Sequence, residues 1–393
     1  MSFQIANIPP VHFGPGKISE IPRICAQFGK KVLWITGANS LKSNGKWAIL
    51  AEKLNREGLE IIPLIIDSEP SALFVDETCL ALRDQGIDVV LGVGGGSVID
   101  GAKAISAMLL QQNSVFDHLE DVGRGIPHNG KKIPFIAVPT TSGTGGEMTK
   151  NAVLSKVGPQ GYKKSLRHEN LIPNAVVIDP ELMVTCPTKV TAACGMDAFT
   201  QLVESYLSPI ASPFTDILAL NGMTLLIQNL GLACGQESAN LEVRSHIAYA
   251  SMLSGICLAN AGLGIVHGLA SPLGGFFAIP HGVVCGTLLG AATEMNIRAL
   301  QARGGNDSTV ALAKYRKIGQ LFAGENRSPS ESQQLAAFVE QIQSWIEQLQ
   351  LPRLGNYGIQ PGDLGRVVEK TSNRHNPIAL TQAEMMEILA CRL

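Results

Sequence analysis

Two histidines fourteen residues apart, His267 and His281, stand in the apolar, glycine-rich stretch AGLGIVHGLASPLGGFFAIPHG of residues 261–282. A buried imidazole needs partners for its ring nitrogens, because an unpaired buried polar group costs roughly 1–3 kcal/mol. A single such histidine is more often a core residue whose hydrogen bonds are met. A second stretch upstream changes that reading. CGMDAFTQLVESY, residues 194–206, holds Asp197 and Gln201 four apart, which on a helix puts both side chains on one face, one turn from each other. A carboxylate oxygen, an amide carbonyl oxygen and two imidazoles make a ligand set for a borderline divalent cation. Glu204, one turn past Gln201, suits either an anchor for a ligand or an ordinary helix ion pair.

A second kind of chemistry is written in glycines. In GVGGGSVIDGAK, residues 92–103, glycines at a strand end let a phosphate approach the backbone, and the helix expected from about Ser97 aims free amides and its positive dipole end at that phosphate. The G-x-G-x-x-S spacing after a third strand is not the usual dinucleotide fingerprint, so on spacing alone a plain tight turn stands beside nucleotide binding. PTTSGTGGE, residues 139–147, offers hydroxyls and amides suited to a ribose or phosphate, and its composition equally describes a surface loop.

The elements that would position these groups follow from periodicity. Residues 31–36, 59–66, 88–93 and 133–138 read as strands, and 41–57, 73–85 and the run after Ser97 as helices; this alternation is the mark of strands crossing over through helices in a parallel sheet. From about Asp179-Pro180 long helical stretches take over, including 190–206 and 214–230. The expected division is a dinucleotide-binding α/β domain over 1–179 and a helical metal- and substrate-binding domain over 180–393. At 393 residues two cores are the natural expectation.

Composition narrows the function classes. Thirty-one basic against thirty-three acidic residues give a net charge of -2 with no long run of either sign, so no electrostatic pull toward nucleic acid or anionic membrane is expected. The first thirty residues lack a signal-peptide pattern, and no run of about eighteen apolar residues is apparent. Eight cysteines without close pairs read as reduced thiols of a cytoplasmic protein.

Together, the segments Gly195-Met-Asp197-Ala-x-x-Gln201-x-x-Glu204, Gly264-x-x-His267-Gly and Pro280-His281-Gly282 resemble the iron-containing, or group III, alcohol dehydrogenases, along nearly the whole chain. The resemblance implies an α/β N-terminal Rossmann-like domain with a parallel sheet plus an all-α C-terminal domain, the architecture shared with dehydroquinate synthase. By motif position it places the metal, Fe(II) or Zn(II), on Asp197, Gln201, His267 and His281, and gives Asp197, His267 and His281 catalytic roles. Gln201 departs from the family's histidine, and an amide binds a first-row cation more weakly than imidazole does. Ser271 departs from a further family histidine near the substrate. The family's GGGS-x-x-D segment assigns the cofactor pyrophosphate to Gly94, Gly95, Gly96 and Ser97, with Asp100 and Lys103 on the helix that follows. Its PTTSGTGSE motif, with Gly146 in place of Ser, carries over Thr140, Thr141 and Thr144, and Lys163 matches a lysine that reaches the nicotinamide ribose.

The end of the first predicted strand, Gly37-Ala-Asn39-Ser40 with Lys42 beyond, carries no acid to bind the adenosine ribose and repel an extra phosphate, so NADP is expected over NAD. Residues 373–381 resemble the family's closing NP-x-x-x-T segment, and His375 before it reads as a solvent-facing loop residue. The function implied is hydride transfer between nicotinamide and a small alcohol or aldehyde, in a homodimer. A dehydroquinate synthase-like lyase using NAD transiently and a non-catalytic nucleotide-binding relative with a decayed metal site stand as alternatives.

Overall fold

The structure, a computed structural model, describes residues 2–323 and 330–393. Strands β1 (Val11–Phe13), β2 (Lys31–Gly37), β3 (Glu60–Ile66), β4 (Val89–Gly94), β5 (Phe135–Pro139) and β8 (Ala175–Ile178) form one parallel sheet in the order β1-β8-β5-β4-β2-β3. Between them β6 (Asn151–Lys156) and β7 (Tyr162–Arg167) form a separate antiparallel hairpin. The central strands are apolar throughout because helices cover both faces, as parallel sheets require. Leu33, Ile35 and Val90 face Val98, Ala102 and Ile105 on one side, while Val32, Trp34 and Leu91 face Ile24, Leu50 and Leu54 on the other. Pro63 lies in edge strand β3, where its missing amide breaks no central ladder.

Helices α1 (Ile21–Ala26), α2 (Ser40–Ser43), α3 (Lys46–Arg56), α4 (Ala72–Leu82) and α5 (Gly96–Met108) complete this half. From β2 the chain steps outward to β3, then returns to place β4 on the opposite side of β2. The strand order therefore reverses between β2 and β4, and the crevice beyond their carboxyl ends is where open α/β sheets bind ligands. Gly37 and Gly94 are the last residues of those two strands.

The four strands expected from sequence all form, each within two residues of its expected start. The helix expected over 41–57 is broken into α2 and α3 by Gly45, which sits at φ 71°, a left-handed conformation that glycine adopts without steric cost. Strands β1, β6, β7 and β8 are additional to those expected.

The remaining chain is helical: α6 (Thr188–Leu207), α7 (Pro213–Ala233), α8 (Leu241–Ala261), α9 (Ile265–Phe276), α10 (His281–Arg303), α11 (Asn306–Ala323), α12 (Glu331–Gln348), α13 (Leu364–Glu369) and α14 (Gln382–Ala390). Helix α6 is the axis, buried almost all round against α7, α8 and α10. Its two carboxylates, Asp197 and Glu204, lie inside with it and therefore need partners. By length and composition alone α7 passes as apolar enough to cross a bilayer, but it is no continuous apolar run; it packs beside α6 and α8 and carries Asp216, Asn221, Gln228 and Asn229.

Candidate metal centre and cofactor cleft

Helix α9 begins after a sharp bend at Gly262, whose φ of 67° lets the chain leave α8 and turn by 99°. That bend carries His267 back onto α6. Glu204 fixes it there: one carboxylate oxygen accepts the Val266 amide at 2.6 Å, and the other lies 2.6 Å from His267 Nδ1. With Nδ1 committed to Glu204, Nε2 turns to Asp197, whose Oδ1 is 3.2 Å away. The buried Asn376 side chain reinforces the bend by accepting the Ile265 amide at 3.2 Å while pairing with Asn296.

Helix α10 begins at His281 itself. It can start against α6 because a Cβ at Gly282 would lie 2.5 Å from the Ala193 carbonyl oxygen; only glycine permits the approach. His281 Nε2 comes within 3.7 Å of Asp197 Oδ1. One turn along, Cys285 places its sulfur 3.5 Å from His267 Nε2 and 3.7 Å from His281 Nε2. Donor atoms of Asp197, His267, His281 and Cys285 all lie within 4.8 Å of one another.

These separations fit a cation. Four donors about 2.0–2.3 Å from a tetrahedral ion sit about 3.3–3.8 Å apart, close to the 3.2–3.7 Å found here. The electrostatics are those of a crowded site. Burial pushes the His281 imidazole down to about 4 against the opposing pull of Asp197, with Lys163 and His267 pressing it further down. Burial also opposes charge on His267, yet Cys285, Glu204 and Asp197 hold its pKa well above the ordinary value. Burial would raise the Asp197 carboxyl, but His281 and His267 hold it below its usual range. The Cys285 thiol is pushed up to about 12, chiefly by burial. Nδ1 of His281 is buried with no hydrogen-bond partner.

Gln201 shares the buried face of α6, and its amide lies 3.0 Å from the Ser254 hydroxyl on α8, whose single proton also has the Ser251 carbonyl at 2.8 Å as an acceptor. Ser251 donates its hydroxyl to the Gly143 carbonyl at 3.1 Å. Gln201 thus meets α8, and Ser251 of α8 holds the loop of residues 140–147. That loop faces the glycine turn after β4: Thr140 donates its amide to the Gly94 carbonyl at 2.9 Å, a Cβ on Gly95 would meet Thr141 at 3.5 Å, and one on Gly96 would meet Thr144 Oγ1 at 3.7 Å.

Gly94, Gly95, Gly96 and Ser97 are therefore brought together with Thr140, Thr141 and Thr144 on one rim of the crevice. No side chain caps the α5 N-terminus there, and the Thr140 hydroxyl is buried without a partner. Both fit a phosphate-bearing ligand that supplies acceptors. Gly37 and Ser40 form the opposite rim, with Val98 of α5 against Gly37, and Asn39 precedes α2 without capping it. Lys103 is structural. Its buried ammonium donates to the carbonyls of Gly146, Thr149 and Asn151 at 2.6–2.9 Å and so pins the threonine loop. Asp100 is pushed up to about 6 by burial, partly countered by Lys103 and the Val153 amide.

Lys163, on β7, pairs with Glu69, which also accepts the Ser155 hydroxyl at 2.8 Å. Its backbone carbonyl accepts Ser271 Oγ at 2.8 Å, which sets the hairpin against α9. The Lys163 side chain runs along α9, the helix that carries His267, where a Cβ on Gly274 would lie 3.1 Å from its Cδ. His375 is half-buried beside Gly262 rather than free in solvent. Phe199 belongs to the core, edge-on to Trp345 at 5.0 Å. Sequence reasoning missed Cys285 and Glu69. The first carried a signal, its helical spacing from His281, whereas the second is joined to the site only by the fold.

Known proteins share this sequence pattern and fold. The family model described as iron-containing alcohol dehydrogenase matches residues 9–180, and the one for the C-terminal part of the Fe-containing alcohol dehydrogenase family matches residues 191–393. The NADPH-dependent butanol dehydrogenase of Clostridium saccharobutylicum is 30% identical over 97% of this chain and 95% of its own. Long-chain-alcohol dehydrogenase 1 of Geobacillus thermodenitrificans is 31% identical over 99% and 96%. The crystal structure of a 1,3-propanediol oxidoreductase superposes with a TM-score of 0.89 at 28% identity, covering all of both chains.

Proposed function

This chain belongs to the iron-containing alcohol dehydrogenase family and is a metal-dependent, nicotinamide-linked alcohol dehydrogenase; on that premise we propose how its own residues divide the work. Asp197, His267 and His281 hold the cation, Fe(II) in first place with Zn(II) as its competitor. The backbone of Gly94, Gly95, Gly96 and Ser97 receives the cofactor pyrophosphate at the uncapped start of α5, and Thr140, Thr141 and Thr144 line the facing loop. The observation that carries this reading is the convergence of two imidazole nitrogens within 3.7 Å of one Asp197 carboxylate oxygen, beside a helix, α8, whose Ser251 bonds the threonine loop.

When bound, the nicotinamide supplies or accepts the hydride and the cation supplies Lewis acidity at the substrate oxygen. The protein supplies placement. Glu204 holds the His267 ring so that Nε2 points inward. Ser251 of α8 holds the near end of the cofactor loop at the Gly143 carbonyl, and Lys103 fixes the loop's far end. Lys163, paired with Glu69, can exchange that partner for the ribose beside the nicotinamide. Asp100 sits one turn inside α5 and shapes the charge beneath the pyrophosphate turn.

NADP is the preferred dinucleotide in this reading. Gly37, Asn39 and Ser40 present no carboxylate to repel a ribose phosphate, and the NADPH dependence of the butanol dehydrogenase relative supports it. The substrate is a small alcohol or aldehyde, and the division at residues 179/180 sets the cofactor half apart from the helical half. The eight unpaired thiols suit a cytoplasmic protein, working as a homodimer.

The test is direct. Reduced NADP and a series of short aldehydes should give stoichiometric loss of nicotinamide absorbance that chelator abolishes and Fe(II) or Zn(II) restores. His267→Ala and His281→Ala should each lose nearly all turnover with unchanged folding. Activity retained in either variant removes the metal-centre reading, and substrate consumed without net nicotinamide change points to a lyase.

A further inference from the structure

We propose that Cys285, and not Gln201, is the fourth protein ligand of the metal, so that the centre is an aspartate, two histidines and a thiolate. The assignment rests on the metal-centre reading above and extends it to a residue that the motifs do not mark. Three observations carry it. Cys285 is one helical turn after His281 on α10, so the two side chains share a face and converge on the same point. Its sulfur lies 3.5 Å from His267 Nε2 and 3.7 Å from His281 Nε2, and within 4.8 Å of an Asp197 carboxylate oxygen. A sulfur about 2.3 Å and a nitrogen about 2.0–2.1 Å from an ion, at a near-tetrahedral angle, stand about 3.5–3.6 Å apart, so the sulfur already has ligand spacing, and a fifth position is left for the substrate oxygen.

Gln201 is spoken for elsewhere. Its amide lies 3.0 Å from the Ser254 hydroxyl on α8, so turning it to an ion would break that contact between α6 and α8. The exchange of partners is internally consistent: a neutral amide on α6 pairs with α8, and a thiol on α10 completes the donor set. As the sulfur–cation bond forms, the thiol proton leaves to solvent, so the ion gains an anionic ligand in place of a neutral one. A thiolate is softer than an imidazole or an amide, which raises the standing of Zn(II) against Fe(II) at this centre.

Cobalt reports the ligand directly. The protein is stripped with chelator, titrated with Co(II) alone and followed by absorption spectroscopy and metal analysis. The unmodified protein should take up one Co(II) per chain with a sulfur-to-cobalt charge-transfer band in the near ultraviolet. Cys194→Ser, at the cysteine nearest the cofactor loop, and Gln201→Ala should keep that band. Cys285→Ser should lose it, weaken Co(II) binding by at least about 100-fold, beyond the range typical of outer contacts, and move the Zn(II)/Fe(II) preference toward iron. Cobalt bound in a His281-dependent manner without the band would overturn the Cys285 assignment and leave the metal centre standing. So would a Gln201→Ala variant that loses as much affinity as Cys285→Ser. No cobalt uptake by the unmodified protein would overturn both. The charge-transfer measurement on the unmodified protein needs no variant to fold.

Discussion

Replacing Glu204 by Gln isolates the contact that aims His267. The carboxylate is buried and serves two donors, the Val266 amide at 2.6 Å and His267 Nδ1 at 2.6 Å. A Gln side chain keeps one acceptor and turns its second arm into a donor. It must then either abandon the Val266 amide or force His267 into the tautomer with its proton on Nε2, the atom that faces Asp197. Hydrogen bonds to charged groups contribute about 1.5–3 kcal/mol, which converts to a metal affinity roughly 10- to 150-fold weaker, in line with the 10–100-fold usual for partners of ligating histidines. Competition against a chromophoric chelator reads the dissociation constant, and thermal unfolding of the metal-free protein checks folding. The expected result is weaker Zn(II) and Fe(II) binding in Glu204→Gln with a smaller change in metal-free stability. Equal affinity in the two proteins would refute the idea that Glu204 orients His267.

The cofactor turn separates steric from functional glycines. A Cβ on Gly94 would lie 2.5 Å from Val98, so Gly94→Ala should lower stability by about 1–3 kcal/mol in urea unfolding. Gly95→Ala meets only Thr141 at 3.5 Å; it should fold normally yet bind reduced cofactor at least about tenfold more weakly by fluorescence titration, its methyl filling the phosphate approach. Gly37→Asp, with 3.5 Å to Ser40 Oγ, should move kcat/KM from NADP toward NAD, and no change would place the adenosine ribose elsewhere. Glu147 is pushed up to about 7, chiefly by burial, from an ordinary 4.5. The folded protein therefore holds this proton more tightly, giving stability that is full below about pH 4.5 and lost as pH rises through about 7. At about 1.4 kcal/mol per unit the loss is about 3 kcal/mol, and Glu147→Gln should flatten that part of the urea-unfolding profile.

Much of the site is legible in the amino-acid sequence alone. Asp197, His267 and His281 stand out because polar groups in apolar glycine-rich runs need a reason, and the central strands are legible because parallel strands buried on both faces are continuous apolar runs. What escapes has contextual causes. Residues 162–167, YKKSLR, lack the alternation of a half-buried strand; they are ordered by the hairpin's packing over α5 and against α9. Strand β1 is three residues long and exists only through its pairing with β8. Cys285 is hidden among dispersed cysteines that read as core, and its helical spacing from His281 gains meaning only once α10 is seen to begin at that histidine. Gln201 is legible as a residue near the centre, but Ser254, the hydroxyl beside its amide, comes from a separate helix fifty-three residues on.

The whole mechanism depends on one cation sitting between α6, α9 and α10, within reach of a dinucleotide laid on the α5 N-terminus. Anomalous diffraction at the metal edge, from crystals grown with Zn(II) or Fe(II) and oxidised NADP, measures both at once. The expected result is a single peak about 2.0–2.3 Å from Asp197, His267 and His281, with the pyrophosphate on the amides of residues 95–97 and the nicotinamide facing the ion. A peak held by other residues, or phosphates bound away from that turn, would contradict it.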